Sequence, residues 1–296
     1  MLDSSKEYLD RMTKIQNNIL DFLNLDDDME EKFENFKFII SDFKIQNDHY
    51  ELKSLLNLIS HISNNHIRNS NFIKKIGRIL QFLEINKYFS NSEIFNIFQN
   101  NKQILLFLIK EKIMVIDDNI ATKMTSNRFK KLKYPEFFFN EIKPFLDSNY
   151  EFNFCFSKKN KIECIQEPEI FSENRNIGEN EDFVCNLIRK DLIDEFITHV
   201  NKTSMNLERP IKRSIFETNP FLLNKRPTLI EYAAFFGSIQ IFKYLLLNHA
   251  TTTSSLWIYA IHGDHPEIIH IIEEKVSLSS EEEEEGDKSN FYMSSQ

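Results

Sequence analysis

One stretch of 23 residues, Thr228–Ala250, constrains the fold of this chain more than any other part of the sequence. It opens with a hydroxyl residue that is suited to cap a helix. Ile230 and the pair Ala233–Ala234 then share one helical face, and Gly237 is typical of a helix end because glycine accepts positive φ. A second apolar stripe follows the glycine. Two short helices joined by a tight turn cannot bury such faces alone, so the pattern predicts stacked neighbours of the same kind.

Two further segments align with this stretch. Ser255–Glu273 aligns at an offset of 27 residues and places Asp264 at the glycine position. Val184–Val200 is a weaker copy, in which Asp191 takes that position. Four of the five alanines of the chain lie in the two stronger copies or their connection. In a chain so poor in alanine, this clustering indicates that close helix packing requires small residues there.

The three segments resemble ankyrin repeats, whose signature T-P-L-H-x-A recurs about every 33 residues. Thr228 matches the signature, and the next three residues replace its Pro, Leu and His. The connection Thr251–Ser254 is short for a full ankyrin β-hairpin finger, whereas residues 201–227 form a long connection, and long loops are usually functional or disordered.

Residues 8–276 as a whole are similar to ankyrin proteins of parasitic protists that carry an uncharacterised helical amino-terminal domain. The resemblance rests on the tract Phe221–Ala234, the tract Trp257–His262, and a helical first half that is rich in Phe, Asn and Ile. It implies an ankyrin fold and protein binding, with no known catalytic residues.

We therefore predict an all-α protein: a helical array that ends in two or three short ankyrin-like helix-turn-helix repeats. The predicted organisation, in order, is a helical domain over 1–147, a linker or irregular hairpin over 148–182, repeats over 183–276 and a disordered acidic tail over 277–296. The alternation of apolar and polar residues around 150–156 leaves a short hairpin open.

The first half shows apolar stripes at helical spacing throughout, for example Leu52, Leu55, Leu56, Ile59 and Ile62. The tract Ser90–Glu93 resembles a capping box. A further helix is predicted from near Pro135 to before Asp147.

Charge and composition exclude several function classes. The net charge is −9, so binding to duplex nucleic acid, which needs a cationic field, is not expected. The basic tract Arg128–Lys133 is either a nuclear localisation patch or a solvated loop, and the loop is favoured. The longest apolar run is too short for a membrane span. There is no secretory signal, and three cysteines without one favour reduced thiols. We thus expect an intracellular, cytoplasmic protein, with a nuclear location left open.

Candidate chemistry is sparse. His262, His265 and His270 lie near Asp264 and Glu267, which would allow a zinc site, but the spacing and the lack of a nearby cysteine favour ordinary turn histidines. No phosphate-binding loop or hydrolase motif is present. The expectation is a protein that is not an enzyme and needs no cofactor or metal.

The ankyrin resemblance implies that the partner is another protein, bound by the residues before each turn and by the finger. The candidate partner-binding residues are Phe235, Phe236, His262, Lys225, Arg226, Arg189 and Lys190. Adjacent aromatics are favoured at interface centres, although one Phe could instead pack on the 201–227 connection. The alternative is a structural or assembly protein that acts through its helical first half.

Overall fold

A computed structural model describes residues 2–24, 29–65, 71–146 and 168–274. Within these ranges the fold is all-helical, and the only pairing outside helices is an isolated antiparallel bridge between Pro210 and Thr228. The short hairpin left open around 150–156 and the predicted acidic tail over 277–296 lie outside the described residues.

The chain divides into two compact units, and it passes between them three times. The first unit comprises Met1–Asn180 and Ser214–Lys225, and the second comprises Glu181–Arg213 and Arg226–Gln296. The sequence predicts a linker over 148–182, but residues 168–177 of it form a helix that belongs to the first unit. Part of the long 201–227 connection also belongs to the first unit rather than to the repeats.

The first unit contains twelve of the described α-helices. They are α1 (Leu2–Asn24), α2 (Met29–Asp42), α3 (His49–Asn65), α4 (Phe72–Phe82), α5 (Asn91–Phe98), α6 (Lys102–Lys110), α7 (Asp118–Met124), α8 (Asn127–Lys131), α9 (Tyr134–Phe137), α10 (Phe139–Ile142), α11 (Pro168–Ile177) and, later in the chain, α14 (Pro220–Asn224). Short 3-10 turns cover Ile45–Asn47, Ile85–Lys87 and Lys143–Phe145.

The apolar stripes of the first half form the core of this unit. All five predicted core residues of α3 are buried, and Phe rings from different helices meet at the centre, with the Phe22 and Phe33 centroids 5.5 Å apart. The capping box at the start of α5 is present, since Ser90 and Glu93 satisfy each other's backbone N–H groups. The single helix predicted from Pro135 is wrong in detail. The chain forms α9, α10 and a 3-10 turn instead, and Pro144, which lacks an N–H, lies in that turn.

Segment 214–225 is held in the first unit by a buried lysine. Lys102 is fully buried, and its Nζ donates hydrogen bonds to the carbonyl oxygens of Ile215 and Glu217 at 3.0 and 3.2 Å. Thr218 adds a second attachment, because its backbone N–H and its hydroxyl both donate to the carbonyl of Gly178. These hydrogen bonds satisfy backbone groups that burial would otherwise leave unpaired.

The second unit is built from three helix hairpins, numbered here in chain order. Their helices are α12 (Phe183–Arg189) with α13 (Ile193–Thr203), α15 (Leu229–Phe236) with α16 (Ile239–Leu247), and α17 (Ser255–Gly263) with α18 (266–274). The first helices form one row, in which α15 packs on α12 and α17 packs on α15, and α16 packs on α13 in the second row. Each hairpin turns at a residue with positive φ: Asp191 (50°), Gly237 (69°) and Asp264 (53°). The sequence alignment puts these same three residues at equivalent positions.

Candidate protein-interaction surface

The second hairpin begins with a capping box that also connects it to the third. Thr228 accepts a hydrogen bond from the N–H of Glu231, and one oxygen of the Glu231 carboxylate accepts from the N–H and the hydroxyl of Thr228. The other carboxylate oxygen accepts hydrogen bonds from the hydroxyls of Thr253 and Ser255, at the start of α17. Glu231 is buried, and these hydrogen-bond donors offset the cost of removing its carboxylate from water. This carboxylate therefore fixes how the third hairpin begins relative to the second.

The turns are tied to their neighbours by hydrogen bonds that cross between hairpins. The hydroxyl of Ser238, directly after the second turn, donates to the carbonyl of Ile188 near the end of α12. The imidazole of His265, directly after the third turn, hydrogen-bonds the carbonyl of Phe235 near the end of α15. In both cases the residue that follows a turn satisfies a carbonyl of the preceding hairpin. The hairpins are consequently held in a fixed register along the row.

Gly237 is required by two independent features. Its φ of 69° lies in the left-handed region, which glycine adopts without the strain that a side chain brings. A Cβ atom at this position would also lie 2.4 Å from the ring of His265. The imidazole thus packs directly against the turn of the preceding hairpin. Burial lowers the pKa of His265 below its ordinary value, although its hydrogen bond to Phe235 and the nearby Asp264 carboxylate oppose this effect.

Four aromatic side chains from α15 and α17 and one arginine from α12 contact each other near the ends of these helices, and we call this set the aromatic ridge. Its residues are Arg189, Tyr232, Phe235, Phe236 and His262. The guanidinium carbon of Arg189 lies 5.9 Å from the centre of the Phe236 ring, and Nη1 of Arg189 donates to the Tyr232 hydroxyl at 2.8 Å. The Phe236 ring contacts those of Tyr232 and Phe235, with centroids 4.7 and 5.0 Å apart. The centroids of Phe235 and His262 are 6.4 Å apart.

The aromatic ridge combines packing with exposure. Within the ridge, Tyr232 is fully buried, whereas the other four residues are half-buried. Burial lowers the pKa of His262, which keeps this end of the ridge uncharged at neutral pH. The other end carries the charge of Arg189, and Lys190 is exposed beside it. The ridge is therefore an apolar strip with a cationic end.

Four of the seven predicted partner-binding residues meet in this ridge: Arg189, Phe235, Phe236 and His262. Lys190 adjoins it in sequence as the residue after α12. Lys225 and Arg226 are exposed, but Lys225 directly follows α14 and belongs to the first unit. The two basic residues thus fall in different units.

Two residues contribute to this surface in ways that the sequence pattern does not predict. Tyr232 supports the Phe236 ring and accepts the Arg189 hydrogen bond, and its position one residue before the alanine pair gave no signal beyond a core aromatic. His265 was expected to be an ordinary turn residue, yet it packs on Gly237 and bonds the carbonyl of Phe235. Both roles depend on contacts between hairpins, which a pattern within one hairpin does not reveal.

Among the described residues, no group of three or more His, Cys, Asp or Glu side chains is arranged to hold a metal ion. None of the helices in the described ranges has both the length and the apolar character needed to cross a bilayer. Comparisons with protein-family models, curated proteins and solved structures give no match to this chain.

Proposed function

We propose that this protein is a non-enzymatic protein-interaction module of the ankyrin-repeat type, which binds another protein through the aromatic ridge. The observation that carries the proposal is the row of ring contacts from Phe236 through Phe235 to His262, in which all three residues remain partly exposed. Aromatic and arginine side chains are the residue types that most often dominate binding energy at interfaces.

The row of first helices supports the ankyrin assignment. Three hairpins turn at aligned positions with positive φ, and the residue after a turn bonds the preceding hairpin in the second and third copies. Stacked repeats of this kind bury one continuous core and leave an extended surface for partners. The ridge is formed by residues near the turns, and the resemblance to ankyrin repeats implies that partners bind there.

The chemistry of the ridge suggests what the partner presents. Its apolar centre favours an aliphatic or aromatic side chain seated on Phe235 and Phe236. Its cationic end, at Arg189 and Lys190, favours a carboxylate. Burying such an anchor at the centre of an interface contributes about 2 kcal/mol or more.

The test compares capture by the wild-type chain with capture by Phe236→Ala and His262→Ala variants. Phe38→Ala is the matched control, because Phe38 is a 70% exposed phenylalanine in the first unit. The proposal predicts at least one protein that both ridge variants lose and the control keeps. With that protein purified, Phe236→Ala should raise Kd about 30-fold, the equivalent of about 2 kcal/mol. Unchanged emission of Trp257, the single tryptophan, would show that the second unit remains folded.

Two outcomes would refute this assignment. The first is that every captured protein binds the ridge variants and the wild-type chain equally. The second is that capture is lost in Phe38→Ala and retained in the ridge variants, which would move the binding function to the first unit and favour the alternative assembly role.

A further inference from the structure

Cationic side chains gather on α7 and α8 of the first unit, in a part of the chain that has no acidic residue. Residues 119–135 contain no Asp or Glu, although the whole chain carries a net charge of −9. Sequence alone gives the tract Arg128–Lys133 as a nuclear localisation patch or a solvated loop. In the structure the tract forms α8 and the turn after it, and Phe129 is only 4% exposed. The tract is therefore a folded surface rather than an accessible linear segment.

Two of these cations are oriented by amide side chains at the carboxyl end of α5. Nζ of Lys123 donates to Oδ1 of Asn96 at 3.3 Å, and Nη2 of Arg128 donates to Oδ1 of Asn100 at 2.8 Å. The carboxyl end of a helix attracts cations, which supports the same placement. Because an amide carries no charge, these hydrogen bonds hold the cations in position without neutralising them.

The exposed side of α8 carries further cations. The Phe129 ring contacts the Tyr134 ring, with centroids 4.8 Å apart, and this contact turns one side of α8 toward the core. Arg128, Lys130 and Lys131 are exposed on the rest of the helix. Arg128 and Lys131 are neighbours on its surface, because residues three apart lie on the same helical face.

We call Lys123, Arg128, Lys130 and Lys131 the cationic surface. Lys133 is left out of it, because its Nζ pairs with the Glu136 carboxylate at 2.6 Å.

The surroundings of the cationic surface distinguish between classes of anionic partner. Single-stranded nucleic acids stack their bases on aromatic side chains, and basic helices that bind membranes also bury exposed apolar side chains. Every exposed residue within 119–135 is polar, so neither of these features is present there. Carboxylates need only cations and hydrogen-bond donors. An amide whose oxygen accepts from a cation still has N–H donors of its own, which suit carboxylate oxygens.

We propose that the cationic surface binds a segment of another protein in which acidic side chains are clustered. Lys123 and Arg128, held by the amides beside α5, meet carboxylates in fixed positions. Lys130 and Lys131 add the complementary charge that speeds and orients the encounter. The cationic surface belongs to the first unit and the aromatic ridge to the second, so this proposal stands independently of the proposed function.

Fluorescence anisotropy with the full chain tests the proposal. The probe is a labelled ten-residue peptide of alternating Glu and Ser with blocked ends, and its matched control has Gln in place of each Glu. The Glu peptide should bind at about 50 mM salt and lose affinity as salt is raised, because the charges are exposed to screening. The Gln peptide should not bind. Lys130→Glu combined with Lys131→Glu should raise the Kd of the Glu peptide at least about tenfold.

A second double substitution controls for net charge. Lys53→Glu combined with Lys74→Glu reverses two exposed lysines of the same unit, and it should change Kd less than about threefold. Lys130→Arg combined with Lys131→Arg keeps both charges and should retain binding. Unchanged amide exchange in α5 and α7 would show that each variant remains folded.

Three results would overturn the proposal. The first is that the Glu peptide does not bind the wild-type chain. The second is that the two charge-reversal variants lose the Glu peptide equally, since the effect would then come from net charge. The third is that oligothymidylate or vesicles containing phosphatidylserine bind more tightly than the Glu peptide and are lost in the Lys130→Glu, Lys131→Glu variant. The surface would then serve a nucleic acid or a membrane.

Discussion

Replacing Glu231 with alanine removes a carboxylate that serves two hairpins at once. The capping box itself contributes about 1 kcal/mol. The second carboxylate oxygen accepts two further hydrogen bonds, from Thr253 and Ser255, and hydrogen bonds to a charged group contribute about 1.5–3 kcal/mol each. Because these terms share one side chain and are not additive, we expect Glu231→Ala to lower the free energy of unfolding of the second unit by about 3 kcal/mol.

The first unit contains a matched control for this prediction. Ser90 and Glu93 form the same capping box at the start of α5, but Glu93 is only partly buried and, among the described residues, its carboxylate accepts hydrogen bonds from Ser90 alone. Glu93→Ala thus removes the box without an inter-hairpin contact and should destabilise its helix much less.

Urea unfolding followed by the emission of Trp257, which lies in α17, measures the loss in the second unit. A protein with two units can unfold in more than one transition. Hydrogen exchange of the backbone amides of α15, α17 and α5 therefore shows which helix each substitution destabilises. Glu231→Gln, which keeps the size and removes the charge, should give an intermediate loss. An equal loss in Glu231→Ala and Glu93→Ala would refute the inter-hairpin role of Glu231.

Three further predictions concern buried contacts. Lys102→Met leaves the carbonyls of Ile215 and Glu217 without their donor, at about 1–3 kcal/mol for each unsatisfied group, and should speed amide exchange within 214–225; unchanged exchange would contradict it. Gly237→Ala should lower the free energy of unfolding of the second unit by about 2 kcal/mol, because alanine is strained at positive φ and its Cβ would clash with the His265 ring. Adding His265→Ala should recover part of this free energy in urea unfolding. Since burial lowers the folded-state pKa of His265, the unfolded state binds more protons below about pH 6.5. Stability monitored by Trp257 should therefore fall from pH 7.5 to 5.5, and His265→Asn should flatten this dependence.

Much of the helical architecture could be predicted because it depends on local pattern. The stripe of α3 and the capping box of α5 were both predicted from the sequence and both are present. Helix α11 was not predicted, because its sequence is mostly polar and its packing depends on few side chains. One of them is Phe171, whose ring centroid lies 5.2 Å from that of Phe216.

The division into units could not be read from the sequence. Residues 214–225 look like part of a loop between repeats, and their place in the first unit depends on Lys102, more than 100 positions earlier in the chain. A lysine next to a helix start is typical of a solvated position. Only the folded chain reveals that its Nζ reaches two backbone carbonyls.

The candidate site was predicted where it depends on the repeat alignment and missed where it depends on stacking. The alignment selects the residues one or two positions before each turn residue, and the structure brings four of them into contact: Phe235, Phe236, His262 and Arg189. Their supports do not follow from the alignment, because Tyr232 acts through a residue of another hairpin.

The three turns explain why glycine is kept in one hairpin and replaced in the other two. At Gly237, the ring of His265 occupies the space that a Cβ would need, so a side chain there would have to displace the ring. At Asp191 the turn accommodates a side chain, and the Asp191 carboxylate caps α16 of the next hairpin. The N-cap residue of α16 itself, Ser238, makes no capping hydrogen bond through its side chain. Positive φ at an aspartate costs about 1–2 kcal/mol, which two charge-assisted hydrogen bonds offset. The aspartate at this turn therefore supplies a cap to a helix of the neighbouring hairpin, which couples the first two hairpins more tightly than a glycine turn would.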